Sequence, residues 1–377
     1  MQKYVFLLGR EPLLSLAEIK SLFSHVIQKG SFAIVEAERD MVDSVRDRLW
    51  WTIKIGLILE ENLTKSTLLP LVIEHIATKS QKGKKLRIWI DSFVPMLSSL
   101  VFKAKDALKA QWCSIRVVQH EQGRIKTATT LHEKLLEHGV ELMIYPDGSG
   151  YTLAETLFVQ DIEAYADRDI NRDRSMTVGM MPPKLAQIMI NLATKWADVI
   201  IWDPFCGLGT TLIEGLHSGY VHLIWSDIEP KMVQATEKNI HSQLFYWPSV
   251  DLQVVLLDAT KVDNYSLQQS TVIVTEGMLG KNFTTDTITH ASVMKERKIL
   301  SELYGWFLDA AYRNPSVESL AFCLPFWNIK NDMLFMPELS ALSRHWKIDQ
   351  LCIHWKRYLV HMRPGQCVGR EIVVLRR

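Results

Sequence analysis

Short apolar runs separated by amphipathic stretches set the rhythm of the first 165 residues. The run YVFLLG at 4–9 reads as a strand. Ser15-Leu16-Ala17-Glu18 follows it with the pattern of a capping box, and Leu16, Ile19, Leu22 and Phe23 fall at helical spacing. The segment SFAIVEAE predicts another strand, and VDSVRDRLWWTIKIGLIL predicts a charged helix running into a strand. A helix over 68–76, the strand LRIWIDS, strands over 113–120 and 140–145 and a helix over 130–138 extend the series. Pro146-Asp147-Gly148 is a turn, since proline fixes φ and glycine accepts positive φ. The expectation is two small α+β domains, over 1–65 and 66–165.

The charged stretch RDINRDR then reads as a linker into a third region, 166–377, where the rhythm changes. VIIWDPF, HLIWSDI, LQVVLLDAT, STVIVTEG and ESLAFCLPFW are almost continuously apolar. They alternate with helices that start at Thr210 and Pro230 and that cover 291–312 and 336–343, before two closing strands. Strands of this kind are buried on both faces, which predicts an α/β region built on a mostly parallel, doubly wound sheet.

Composition narrows the function classes. A chain of 377 residues with 47% hydrophobic and 23% charged positions is folded throughout several domains, not fibrous or disordered. With 43 Lys and Arg against 42 Asp and Glu, bulk charge cannot hold nucleic acid, so any such binding uses a local patch. The run Lys79, Lys82, Lys84, Lys85 and Arg87 reads either as that patch or as a solvated loop. Five cysteines without a C-x-x-C pair argue against zinc and disulfides, and His290, His345, His354 and His361 lack ligand spacing, so no metal is expected. No apolar run is long enough for a signal segment or a membrane span, so the expected location is cytoplasmic. Trp50, Trp51 and Trp355 read as core positions, and the terminal Arg376-Arg377 pair as solvated.

The chemistry gathers at strand ends. Asp203-Pro204-Phe205-Cys206-Gly207-Leu208-Gly209-Thr210 closes an apolar strand and opens a helix, and its glycines let backbone approach a ligand closely. The next strand ends in Ser226-Asp227, about two dozen residues on, where a carboxylate can accept from ribose hydroxyls. The third ends in Leu257-Asp258-Ala259, an acceptor for an adenine amino group. Three strand-end acids in register describe a nucleoside site. The third glycine of a dinucleotide fingerprint is absent, as is the lysine of a phosphate-binding loop.

The string DPFCGLGTTLIEG resembles the first motif of class I S-adenosylmethionine-dependent methyltransferases acting on amino groups. The fourth strand ends Thr275-Glu276-Gly277-Met278-Leu279-Gly280, similar to that family's T-D-P-P-Y-G, keeping the threonine, an acid and the last glycine. In the family the acid and a proline carbonyl accept from the target amino group while the aromatic ring stacks on the flipped base. Arg174-Ser175-Met176, the stretch from Met181-Pro182-Pro183-Lys184 to Asn191-Leu192-Ala193, and Arg363-Pro364-Gly365-Gln366 with Gly369-Arg370-Glu371-Ile372 resemble segments of the THUMP-domain tRNA guanosine-N2 methyltransferases. LFVQDIEAYADRD resembles the exit from a THUMP domain.

This resemblance implies a ferredoxin-like domain over 1–65, a THUMP-like RNA-binding domain over 66–165 and a Rossmann-like methyltransferase domain over 166–377. It implies S-adenosylmethionine held by Met176, Asp203, Phe205, Cys206, Gly207, Gly209, Thr210, Asp227, Ile228, Asp258 and Ala259. Glu276 and Thr275 would be catalytic. Gly277, Met278, Leu279 and Phe283 would face the base, and Lys82, Lys84 and Lys85 the tRNA. Eukaryotic relatives imply a small activating subunit. Two further readings stay open: methylation of another nucleic-acid amino group, and a donor-binding but catalytically silent RNA-binding protein.

Overall fold

The computed structural model describes residues 1–81, 83–118, 127–148, 150–163, 181–195, 198–243, 249–349 and 359–377. The chain divides into two units, Met1–Asn171 and Arg172–Arg377. The linker expected over 168–174 lies outside the described residues, as do Lys82, Met176, His354 and Trp355.

The first unit is built on β1 (Gln2–Leu8), β2 (Val26–Lys29), β3 (Phe32–Ala37), β4 (Thr52–Leu63), β5 (Leu86–Ser92), β6 (Ile115–Val117), β7 (Gly139–Pro146) and β8 (Tyr151–Val159). These make one sheet in the order β2-β3-β1-β4-β8-β7-β5-β6. The 12-residue β4 pairs antiparallel with both β1 and β8, so the sheet runs through both stretches that the sequence pattern suggests as domains. Three apolar clusters pack on it among the described residues: one holds Tyr4, Phe6, Ile19, Val35 and Ile55, another Leu68, Val72, Ile88, Ile90 and Leu142, and a third Val5, Leu7, Phe32, Met143, Tyr145 and Ala154.

The capping box expected at Ser15 is not one. The helix Pro12–Leu22 starts earlier, with proline in its first turn where the missing N–H costs nothing. Ser15 and Glu18 are buried inside it: the Ser15 hydroxyl donates to the Trp51 carbonyl (3.0 Å), and the Glu18 carboxylate accepts from the backbone N–H of Trp50 (3.0 Å) and Trp51 (3.3 Å). The pair satisfies a distant turn rather than its own helix.

The second unit has β9 (Ile200–Asp203), β10 (His222–Asp227), β11 (Asp251–Leu256), β12 (Thr271–Thr275) and β13 (Val317–Ile329), all parallel in the order β11-β10-β9-β12-β13. Beyond β13 come the antiparallel β14 (Asp332–Phe335), β15 (Lys347–Ile348), β16 (Leu359–His361) and β17 (Val368–Arg376). The two faces of β13 are covered by different helices. Leu320, Phe322 and Leu324 join a cluster with Leu300, Tyr304 and Phe307 of the helix His290–Arg313. Ser319 and Cys323 meet the helix Pro183–Ala193, the first through a hydrogen bond from its hydroxyl to the Ala193 carbonyl (3.0 Å).

Arg376, expected to be solvated, is half-buried and bound, whereas Arg377 is exposed as expected and still donates hydrogen bonds. Arg376 donates to the Leu192 carbonyl (2.8 Å), the Ala193 carbonyl and Asp349 (3.0 Å), and Arg377 donates to the carbonyls of Val317 (2.6 Å) and Tyr312 (2.6 Å). Helix ends leave carbonyls without intrahelical partners, and guanidinium donors suit them. Among the described residues no helix is long and apolar enough to cross a membrane.

Candidate active site

β9 lies at the point where the chain's progression reverses: β10 and β11 lie to one side, β12 and β13 to the other. Open parallel sheets bind ligands outside the carboxyl ends of their strands at such a switch point. The chain leaves β9 at Asp203 and turns into the helix Thr210–His217 through two left-handed residues, Gly207 (φ +52°) and Gly209 (φ +80°). A Cβ on Gly209 would sit 2.8 Å from Cγ2 of Thr236, so backbone freedom and space both require glycine there. The helix Pro230–His241 fastens the turn: the Thr236 hydroxyl donates to the Gly207 carbonyl (2.8 Å) and the Asn239 amide to the Leu208 carbonyl (3.0 Å).

Each strand-end acid is set by its neighbours. Asp227 accepts from the N–H of Gly207 (3.2 Å) through one oxygen and of Glu229 (3.0 Å) through the other. Asp258 accepts from the N–H and hydroxyl of Thr260 through a single oxygen (2.9 and 2.8 Å). Asp203 is 3% exposed and accepts from the Thr275 hydroxyl (2.6 Å) and the Phe205 N–H (3.2 Å). Burial pushes its carboxyl up to about 7, against the pull of those hydrogen bonds and of Thr211. Burial also raises the Cys206 thiol, leaving it an inert wall.

A cavity of about 500 Å³ opens above these strand ends, lined by Asp203, Phe205, Cys206, Gly207, Thr210, Asp227, Ile228, Asp258, Ala259, Glu276, Gly277 and Met278. Gly209 and Thr275 stand behind this wall and shape it. A second cavity of about 630 Å³ shares Glu276, Gly277 and Met278 with the first and adds Leu279, Phe283, Gln366, Val368 and Arg370. Phe283 is half-buried and packs against the core of the unit. Lys84 and Lys85 are exposed in the turn before β5, in the first unit.

The shared wall has its own supports. Gly277 is left-handed (φ +70°), and a Cβ on it would collide with the Tyr304 hydroxyl. The single hydrogen of that hydroxyl is shared between the carbonyls of Met278 (2.9 Å) and Cys323 (3.2 Å). Glu276 is paired with Arg370 in an ion pair whose side chains are 13% and 6% exposed. Burial raises the Glu276 carboxyl, and the guanidinium opposes that rise. Sequence reasoning missed Arg370, Tyr304 and Thr236. The first carried a signal, a charge inside the apolar strand VGREIVVLR; the other two carried none.

Residues 171–286 match the family described as RMKL-like, methyltransferase domain. The tRNA (guanine(10)-N2)-dimethyltransferase of Methanothermobacter thermautotrophicus is 35% identical over 136 residues, and that of Methanocaldococcus jannaschii 29% over 136 residues. Each match covers 36% of this chain, and 35% and 38% of the respective relative, so the chain spans little more than a third of the length of the curated relatives it matches. The crystal structure of TrmN from Thermus thermophilus is similar in fold, with a TM-score of 0.50 at 16% identity over 100% of this chain and 99% of that one. The second unit has the α/β fold of class I methyltransferases. Among the described residues no group of His, Cys, Asp or Glu could hold a metal ion.

Proposed function

We propose that this chain, whose residues 171–286 belong with the RMKL-like methyltransferase domains, transfers a methyl group from S-adenosylmethionine to the N2 amino group of a tRNA guanosine. The observation that carries the reading is the wall formed by Glu276, Gly277 and Met278, common to a nucleoside-sized cavity and to a second cavity beside it. A donor in one and a base in the other would meet beside these shared residues.

The donor site fits its ligand. Asp227 suits ribose hydroxyls, Asp258 suits an adenine amino group, and the left-handed turn at Gly207 admits close approach of the chain. S-adenosylmethionine would supply an electrophilic methyl group, its sulfur–methyl bond breaking as the nitrogen–methyl bond forms, with the neutral thioether S-adenosylhomocysteine as leaving group. Glu276 accepts a hydrogen bond from the target amino group, whose lone pair is otherwise spread into the ring, and stabilises the positive charge that develops on that nitrogen. The surplus proton then leaves toward the carboxylate. Thr275 acts indirectly, by fixing Asp203. No covalent bond to the protein is formed.

In the same reading the ferredoxin-like segment 1–65 and the THUMP-like segment 66–165 grip tRNA, with Lys84 and Lys85 on phosphates, while the pocket selects the base. The protein works in the cytoplasm, and the family resemblance adds a small activating subunit. One observation favours the silent alternative: the carboxylate of Glu276 already has a partner in Arg370.

Incubation of the protein with labelled S-adenosylmethionine and unmodified tRNA, followed by digestion and mass spectrometry, separates these readings. Label in N2-methylguanosine is expected, and Glu276→Gln should reduce it by about 10²-fold or more while leaving donor affinity unchanged. Label in a different amino-methylated nucleoside would move the substrate. Donor binding without any labelled nucleoside would leave the silent reading standing.

A further inference from the structure

The wall between the two cavities holds a charge that stability alone does not call for. Glu276 follows β12 and Arg370 belongs to β17, and in the sheet β13 lies between them, so the two side chains meet across an intervening strand. A buried ion pair is weak evidence for stability, since packed apolar side chains could hold the same strand ends together. What it provides is a fixed carboxylate. The Arg370 Nε donates to one oxygen of Glu276, and its terminal nitrogens have no hydrogen-bond partner among the described residues, although Arg370 lines the second cavity.

The groups that face the pair leave its charge balance simple. His361 lies opposite Arg370 on β16, and burial, with Arg370 and Arg363 beside it, lowers its imidazole to about 4, so it is neutral at physiological pH. Burial raises the Cys323 thiol on β13 and the Tyr304 phenol on the helix His290–Arg313, so both stay protonated. Arg363, exposed in the loop before β17, is a second cation acting on Glu276. Every charged neighbour therefore favours the ionised form of Glu276, and burial opposes it.

We infer that Arg370 is a positioning residue of the reaction proposed above: it holds Glu276 as an ionised carboxylate with one oxygen pinned, leaving the other for the target amino group. In the related T-D-P-P-Y-G pattern a stiff proline pair follows the acid. Here Gly277 follows it, so the rigidity is supplied from β17 by a guanidinium instead. This rests on the proposed methyl transfer to an amino group.

The test uses the full chain with tRNA and labelled S-adenosylmethionine, comparing Arg370→Met, Arg370→Lys and Glu276→Gln. S-adenosylhomocysteine affinity serves as the control for an intact fold. Arg370→Met should keep that affinity, lose about 10²-fold in kcat at pH 7, and move the acid limb of the kcat profile up by about 1 unit or more, the size of an opposite charge's effect on a carboxylate. Arg370→Lys should bring the limb back, since it restores the charge without the planar fork. In a Glu276→Gln background, where no carboxylate remains to be held, Arg370→Met should cost nothing further in kcat. The inference is overturned if Arg370→Met keeps the wild-type kcat and limb. It is overturned as well if both Arg370 variants fall equally with the limb unmoved, which would mean packing alone. Should Arg370→Met lose S-adenosylhomocysteine binding, the double variant decides: a further loss in kcat relative to Glu276→Gln sinks the inference. If the unsubstituted protein labels no nucleoside, the proposed function has failed, and this inference goes with it before any variant is made.

Discussion

Asp203 shows how a single side chain can be held in conflict with its surroundings. Its burial raises the carboxyl to about 7, whereas in an unfolded chain it would titrate near 3.8. A group raised on folding contributes stability that is fully present below the unfolded value and is lost as pH climbs through the folded one. Replacing it by Asn keeps an oxygen that can accept from Thr275 and Phe205 and removes the titration. Asp203→Asn should therefore raise the midpoint of thermal unfolding, with the stabilisation about 2 to 3 kcal/mol greater at pH 8 than at pH 5. Equal gains at both values would mean that the carboxyl is not shifted. Glu276 is raised in the same direction but carries a guanidinium partner, which Asp203 lacks among the described residues.

At the scale of elements, the parts of the second unit that the amino-acid pattern made legible are those written in contiguous residues. The apolar strand into Asp203-Pro204-Phe205-Cys206-Gly207-Leu208-Gly209 could be read because strand, glycine turn and helix follow one another in a fixed local order. The strand-end acids at Asp227 and Asp258 followed from the same periodicity. Arg370 stood out in the pattern only as a charge within an apolar strand; its part in the site could not be read, because its partner is 94 positions away and only the sheet brings the two together. Ser15 and Glu18 misled for a related reason: capping residues look the same whether they serve their own helix or the backbone at Trp50 and Trp51. Arg376 was missed because pattern cannot show that a strand's last residue reaches the end of a helix. Arg376→Ala should lower the stability of the second unit by about 1 to 2 kcal/mol in denaturant unfolding, through lost charge-assisted bonds to the carbonyls of Leu192 and Ala193. A change within error would mark those bonds as dispensable.

Over the whole molecule, charge neutrality makes RNA binding a question of where cations cluster. If Lys84 and Lys85 contact phosphates, Lys84→Glu with Lys85→Glu should weaken tRNA binding at least about tenfold and lower the slope of log affinity against log salt by about 2. Filter binding across a salt series measures both, with donor affinity in the second unit as the unchanged control. An unaltered slope would return the run to an exposed turn without a partner. The continuous sheet of the first unit bears on how the chain could be divided, whether by a protease, by recombination or at the bench. β4 gives hydrogen bonds to β1 on one side and to β8 on the other, and residues 54–63 pair antiparallel with 151–159 through three register shifts. A piece ending at residue 65 would present one whole side of a 12-residue strand to solvent, a template for pairing with another copy. Such a fragment should elute as aggregate in size-exclusion chromatography while 1–163 elutes as a single species. The segments 1–65 and 66–165 are thus bound to be inherited together: neither can be exchanged for a foreign module without the stranger first supplying a strand to replace the one it severs.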